Sequence, residues 1–340
     1  MGINGSFTGY KTLTIKSIDI FRRILRGHMN SLRTVFLLFV FGFSVAFSQE
    51  SSVRSEDALL ADAFSNGDSD YINEILHPEF TWIDAEGIMW PRRESLAAEL
   101  KPLLTGEDQV TIIEHYYGAA TFLERSKDDS FTMYIWDSTS GAPKLLNITE
   151  IQVKEKDYQS QSADFEIPCY NPCTVMPWVP LSENQRSAYA AWQDQEQAYL
   201  DPETGRLNRD GWIRRINNDQ DQRPVNTYMG KSPPKEDRVA FYMPRINAAL
   251  ESRGTGFTVP VLWSRWWDIG DEAVFNIMLQ PTFGDKAYWA SRIFSPVNGV
   301  WMMSESYHTY IETSPIMISV DPAISGDDRE DLRNVDLSTR

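Results

Sequence analysis

The feature that most constrains this chain is an order of predicted elements that occurs twice. Residues 52–160 show two stretches of helical periodicity, a short strand-like run, a third helical stretch and then a series of strands. The same order returns over residues 182–312, with turn pairs such as Asn298-Gly299 between the last strands. This repetition predicts an internal duplication, in which each unit packs helices on a sheet.

The repeat also sets the predicted domain boundaries. The motif "IPCYNPCTVMPWVPLS" is rich in proline and reads as a linker, and "SGDDREDLRN" lacks a core pattern. The predicted segments are an upstream segment with a secretory signal peptide at 1–48, a first domain at 49–165, the linker at 166–181, a second domain at 182–312 and a loosely ordered acidic tail at 313–340.

A targeting segment precedes the first unit. Arg33 supplies positive charge, Val35 to Phe47 forms an apolar run, and small residues follow it. The run is shorter than the ~20 residues that span a bilayer, so we expect a signal peptide cleaved near Gln49 and a periplasmic or secreted protein. An uncleaved anchor is the alternative. Met29 suits the start of such a signal better than Met1.

Composition excludes several classes of function. The net charge is -16 and the pI is about 4.7, whereas a nucleic-acid-binding protein carries a basic surface. The same acidity repels anionic membranes, so we expect no membrane partner after signal cleavage. The sequence has no P-loop, no G-x-G-x-x-G after a strand, no G-x-S-x-G and no H-E-x-x-H. We therefore expect no cofactor and no metal site.

The two cysteines lie in the linker. Cys169 and Cys173 flank Asn171-Pro172, a turn that can bring the two sulfur atoms together. In an oxidising compartment this spacing favours a local disulfide. Free thiols are the first alternative, and a metal site is disfavoured because no histidine or second cysteine pair accompanies them.

Two stretches of the sequence resemble a known superfamily. "LLADAFSNGDSDYINEILHPEFTWIDAEG" resembles the opening of NTF2-like proteins, in particular their SnoaL-like and ketosteroid-isomerase-like members. "ASRIFSPVNGVWMMSESYHTYIE" resembles the last two strands of the same fold. The resemblance implies an α+β chain with two tandem NTF2-like cones. Each cone would be a curved antiparallel sheet packed on three helices around an apolar cavity.

In ketosteroid-isomerase-like members an aspartate after the early strand abstracts a proton, and the matching residue here is Asp84. Trp82 and Trp90 lie near it in the sequence and could desolvate its carboxylate. The family also uses an acid on a late strand, where the predicted register places Thr149 and turns Glu150 to the opposite face. The alternative is that Asp84 only accepts hydrogen bonds from nearby backbone N–H groups in a turn.

The second unit offers a histidine and several polar residues. His308 could act as a general base or hold a ligand, or it could be a structural histidine at the end of a strand. Arg265 lies among tryptophans, which favours a cation–π contact over an anion site. The predicted catalytic residues are Asp84 and His308, and the predicted ligand-binding residues are Trp82, Trp90, Thr149, Arg265, Asn276 and Tyr310.

Three functions stay open at this point. Incomplete catalytic sets favour an exported protein that binds a small apolar ligand in a cone-shaped cavity. The second is a cofactor-independent isomerase or lyase, ketosteroid-isomerase-like or dehydratase-like, with a small hydrophobic substrate. The third is a protein-interaction module that uses an exposed sheet face. The two cones are expected to pair within the chain, or the chain to form a homodimer.

Overall fold

The computed structural model describes residues 53–106, 110–155, 180–198, 201, 203, 208–218, 224–253, 261–281, 287–312, 317–318 and 335–336. They belong to one unit of the chain, Val53–Arg340. The predicted signal peptide, Cys169 and Cys173 and most of the acidic tail lie outside the described residues. Within these ranges no helix combines the length and apolarity that a membrane crossing requires.

The described residues of the first half form three helices and a six-stranded sheet. The helices are α1 (53–66), α2 (Ser69–Ile75) and α3 (Arg92–Ala97). The strands are β1 (Leu76–Ile83), β2 (Met89–Pro91), β3 (Thr111–Tyr117), β4 (Ala120–Lys127), β5 (Ser130–Asp137) and β6 (Lys144–Gln152). Their order in the sheet is β2-β1-β6-β5-β4-β3.

The second half repeats this arrangement. Its described helices are α4 (Glu183–Ala198), α5 (Arg209–Asn218) and α6 (Lys235–Arg253). Its strands are β7 (Val225–Asn226), β8 (Gly230–Lys231), β9 (Trp263–Ile269), β10 (Ala273–Pro281), β11 (Ala287–Val297) and β12 (Val300–Tyr310), in the order β8-β7-β12-β11-β10-β9. A separate antiparallel pair joins β13 (Met317–Ile318) to β14 (Val335–Asp336).

The predicted α+β class is confirmed, but the prediction of antiparallel sheets is wrong. Strand β1 runs parallel to β6, and β7 runs parallel to β12, so both sheets are mixed. In each half these two strands are far apart in the chain. No hairpin therefore imposes an antiparallel pairing on them.

Two residues with positive φ mark turns in the first half. Strands β3 and β4 form a hairpin, in which Gly118 takes a φ of +59° at the turn. Helix α3 ends at Ala97. Glu99 takes a φ of +53° there, and Pro102 disfavours helical geometry in the residue before it.

Each sheet has a helix side and a seam side, and the two seam sides pack on each other. The seam is one apolar cluster that includes Phe122 and Met133 of the first half and Phe275 and Trp289 of the second. The helix sides carry separate clusters. The central strands are consequently buried on both faces. The interaction module with an exposed sheet face stays a prediction.

Buried carboxylates cross the seam. Glu124 of β4, 1% exposed, accepts hydrogen bonds from Tyr307 and from Lys231 of the second half. Glu305 of β12 accepts a hydrogen bond from Nδ1 of His115 at 2.5 Å. That hydrogen bond raises the pKa of His115 against the effect of burial. Both charges are thereby paired across the seam, as buried carboxylates require.

The seam also forces a close approach of two backbones at Gly87. A Cβ built on Gly87 would lie 2.5 Å from the carbonyl oxygen of Tyr310. Gly87 has a φ of +77°, and its own carbonyl accepts a hydrogen bond from Nε1 of Trp289 at 3.0 Å. Only glycine meets both the space and the backbone conformation at this position.

Candidate ligand-binding site

The strand pairing matches positions of the first half with positions of the second. Strands β1 and β7 hold the same place in their sheets, beside β6 and β12. Ile83 of β1 pairs with Thr149, and Val225 of β7 pairs with Tyr307. Thr149 and Tyr307 are therefore equivalent positions, and the matching can be extended strand by strand.

Two β-bulges support this matching. Leu146 in β6 and Ser304 in β12 are each left out of the pairing with the neighbouring strand. They fall at the same place, four residues before Glu150 and four before His308. Glu150 and His308 thus occupy equivalent positions on the helix sides of the two sheets.

The bulge at Leu146 corrects the predicted register of β6. Thr149 faces the seam, where its Oγ1 lies 2.9 Å from Oγ of Ser291, and Glu150 faces the helix side. An unbroken alternation from the start of the strand would place them the other way round, because an extra residue shifts every later side chain to the other face. The predicted register, which turned Glu150 to the face opposite to the ligand, is wrong, because Glu150 lies on the helix side and Thr149 on the seam side.

The carboxylate of Asp84 is engaged by its own turn. Its Oδ1 accepts the backbone N–H groups of Glu86 at 3.0 Å and Ile88 at 2.9 Å, and its Oδ2 accepts Nε1 of Trp90 at 2.8 Å. In the second half Asn226 holds the matching turn by accepting a backbone N–H two residues further on. These contacts favour the turn-forming role of Asp84. Proton abstraction by Asp84 stays a prediction.

Glu150 is the titratable group on the helix side of the first half that the sequence patterns missed. It is 3% exposed, and burial raises its pKa to about 7. The backbone N–H of Leu103 donates to it and opposes this rise, whereas the charge of Asp84 adds to it. Trp82 and Trp90, which stack at 5.8 Å, lie at the same end of the sheet. The structure thus brings Asp84, Trp82 and Trp90 together with Glu150.

The polar side chains of this region hold one segment of backbone, Leu100–Gly106, which we name the strap. Glu150 accepts from a strap N–H. Tyr134 donates to a strap carbonyl at 2.5 Å, and Nε of Arg125 donates to another at 3.0 Å. Each of three adjacent strands therefore contributes one polar side chain that hydrogen-bonds the backbone of the strap.

In the second half the equivalent positions are polar and lie side by side. Ser306, Arg292 and Asn276 form one cross-strand row through β12, β11 and β10. The equivalent row of the first half consists of Ile148, Tyr134 and Leu123. Two apolar residues of the first half are thus replaced by hydrogen-bonding residues in the second.

The row connects to His308. Nη2 of Arg292 donates to Oε1 of Gln280 at 2.8 Å and lies 3.4 Å from Nε2 of His308. Oγ of Ser306 lies 3.0 Å from the same Nε2. Because a guanidinium can only donate, the contact with Arg292 makes Nε2 of His308 an acceptor.

Asn276 is the most informative residue of the row. Its side chain is 0% exposed, and neither its amide nitrogen nor its amide oxygen has a hydrogen-bond partner among the residues that the structure describes. Its apolar neighbours on this side include Trp266 and Phe294, whose rings stack at 5.6 Å. A buried amide left unpaired costs about 1–3 kcal/mol, and a bound polar group would remove that cost.

The two remaining predicted residues lie in different places. Arg265 lies in the seam, where its Nη2 donates to Glu79 of the first half at 2.5 Å and its guanidinium stacks over Trp267. It is therefore not brought to the helix side with Asn276. Tyr310 stacks on Tyr288 at 5.3 Å, beside His308.

The described part of the chain shows no group of three His, Cys, Asp or Glu side chains that could hold a metal ion.

Arg292, Gln280 and Ser306 complete the site around Asn276. Of these, Gln280 and Ser306 carry no sequence signal beyond their alternation with apolar residues.

Comparisons with known proteins add little. No family model and no curated protein matches the chain. A solved structure of an NTF2-like protein from Cytophaga hutchinsonii is similar, at 12% sequence identity and a TM-score of 0.21. The match covers 32% of this chain and 97% of that one.

Proposed function

We propose that this chain is a tandem NTF2-like protein whose second half binds a small molecule on the helix side of its sheet, while the first half serves as structural support. The observation that carries the proposal is the unpaired, fully buried amide of Asn276 at a position where the first half has Leu123. A few convergent polar groups among aromatic side chains are typical of small-molecule sites.

The side chains define the chemistry of the ligand. Asn276 offers both a donor and an acceptor, whereas Nε2 of His308 is already engaged by Arg292. Trp266 and Phe294 offer apolar surface. The ligand would therefore have an apolar body and one group that both donates and accepts hydrogen bonds, such as a carboxamide or a hydroxy-carbonyl pair.

The test is a ligand-retention experiment on three proteins: the wild type, Asn276→Leu and Thr149→Val. Each is purified without denaturation and then unfolded, and the released small molecules are identified by mass spectrometry. We expect one compound of this class from the wild type and from Thr149→Val, whose substitution lies in the seam. We expect at least a tenfold loss from Asn276→Leu, since one bidentate polar contact is worth about that much.

Stability provides the second readout. Leucine is the residue at the equivalent position of the first half, so Asn276→Leu should raise the free energy of unfolding of the ligand-free protein by about 1–2 kcal/mol. A residue retained for binding is often a cost to stability. Undiminished retention of the compound by Asn276→Leu, or a clear loss of stability in this variant, would contradict the proposal. So would a wild type that releases no compound and shows no thermal shift with any ligand of the class.

A second candidate is an isomerase or lyase in the first half, and Glu150 is the observation that favours it. Its buried carboxyl, with a pKa of about 7 beside Asp84, suits general acid–base catalysis near neutral pH. If Glu150 acts as a base, turnover of a ketosteroid-like or polyketide-like substrate should rise as the pH passes through about 7. No turnover, or a flat pH profile, removes this candidate.

A further inference from the structure

The strap Leu100–Gly106 is attached to the first sheet through its backbone. Glu150, Tyr134 and Arg125 come from three neighbouring strands, β6, β5 and β4, and each hydrogen-bonds a main-chain group of the strap. At the start of the strap the backbone N–H of Leu100 donates to the carbonyl of Ser95 at 3.0 Å. Of the three side chains, only Glu150 changes its charge near neutral pH.

We propose that the strap is a proton-dependent cover on the helix side of the first half, closed while Glu150 is protonated and released as Glu150 ionises. The proposal concerns the first half and does not depend on ligand binding by the second.

The electrostatic surroundings of Glu150 support this coupling. Asp84, in the turn after β1, is the charged group that acts most directly on Glu150, and it disfavours a second negative charge. Arg125 on β4 forms its ion pair with Asp57 of α1, and Tyr134 on β5 is neutral and directed to the strap. No cation among these neighbours is committed to the carboxylate of Glu150, so burial dominates and raises its pKa.

The sign of the effect follows from the two states. With the strap closed, the pKa of Glu150 is about 7, and once the strap opens to water the pKa returns toward the ordinary value of 4.5. The closed state binds the proton more tightly, so it is favoured at low pH and loses this advantage as the pH rises through about 7. Between pH 6 and pH 8 the equilibrium should shift toward the open state by about tenfold.

Opening would expose an unused polar group. Thr132 pairs directly with Glu150 across β5 and β6, and its Oγ1 is buried without a hydrogen-bond partner in the described ranges. Release of the strap would therefore give water or a ligand access to this hydroxyl as well as to Glu150.

Hydrogen–deuterium exchange of the full chain tests the proposal. Exchange of the strap amides is measured at pH 6 and pH 8 and divided by the intrinsic rate at each pH, with the amides of β4 as an internal control. In the wild type we expect the protection of the strap to fall about tenfold between the two pH values and that of β4 to stay constant.

Two variants separate the proton from the hydrogen bonds. Glu150→Gln keeps an acceptor for Leu103 but cannot ionise, so its strap should be protected equally at both pH values. Tyr134→Phe should lower the protection at both pH values and retain the pH-dependent ratio, because its hydroxyl does not ionise in this range. Equal protection of the wild-type strap at both pH values would overturn the proposal, and so would a pH-dependent ratio that persists in Glu150→Gln.

Discussion

Asp84 and Asn226 hold equivalent turns, and comparing them shows what a carboxylate adds at this position. Both side chains accept a backbone N–H two residues further along the chain. Asp84 has a second oxygen, which accepts the indole N–H of Trp90. An amide group at this position retains one acceptor and loses the other.

We therefore expect Asp84→Asn to fold and to lose about 1 kcal/mol of unfolding free energy, the typical contribution of one hydrogen bond. Asp84→Ala, which also leaves the N–H groups of Glu86 and Ile88 without their acceptor, should cost about 2–3 kcal/mol. Urea denaturation measures both variants. If alanine is tolerated as well as asparagine, the turn does not depend on this side chain.

At the scale of the element, α1 is attached to the sheet by one buried and one exposed ion pair. Arg125 of β4, 2% exposed, pairs with Asp57 of α1. Arg54 of the same helix pairs with Glu114 of β3 at 3.0 Å, with 60% of the arginine side chain exposed. The two contacts join α1 to neighbouring strands of the same sheet and differ mainly in their access to water.

Arg125→Met should destabilise the protein by about 3–5 kcal/mol, because it leaves a buried carboxylate without its cation and frees a carbonyl of the strap. Arg54→Met is the matched control and should change stability by less than about 1 kcal/mol. Both free energies of unfolding are measured by urea denaturation at the same pH. Comparable losses would show that burial does not distinguish the two contacts.

The order of elements could be predicted from the sequence because it depends on local periodicity. The described helices and strands follow the predicted order in both halves. The bulge at Leu146 could not be predicted, since it results from pairing with β5, and Glu150 was assigned to the wrong face as a consequence. The parallel pairing of β1 with β6 is likewise a long-range property. The row of Ser306, Arg292 and Asn276 also depends on long-range pairing, because it is formed by three paired strands.

At the scale of the whole molecule, the packing of the two sheets depends on Gly87. Gly87→Ala would place a methyl group 2.5 Å from the carbonyl oxygen of Tyr310 in a backbone conformation that alanine disfavours. We expect a loss of about 3 kcal/mol or more in unfolding free energy. Gly67→Ala has a similar φ of +70° with open space around it, so it should cost only about 1 kcal/mol.

Thermal and urea unfolding of the two alanine variants separate the effects of backbone conformation and of close packing. A loss in Gly87→Ala no larger than that in Gly67→Ala would mean that the backbones at the seam can move apart at little cost.

The carboxylate contacts of the seam have an evolutionary consequence. In a two-fold symmetric dimer of identical chains every contact appears twice, so a residue that improves one contact is introduced into its copy as well. Here Glu124 meets Tyr307, whereas the positions equivalent to them are Ile277 and Thr149, which carry no charge. The pairing is therefore not self-complementary. A covalent link between the halves frees each from matching a copy of itself, so one half could acquire Asn276 and Arg292 while the other has Leu123 and Tyr134 at the equivalent positions.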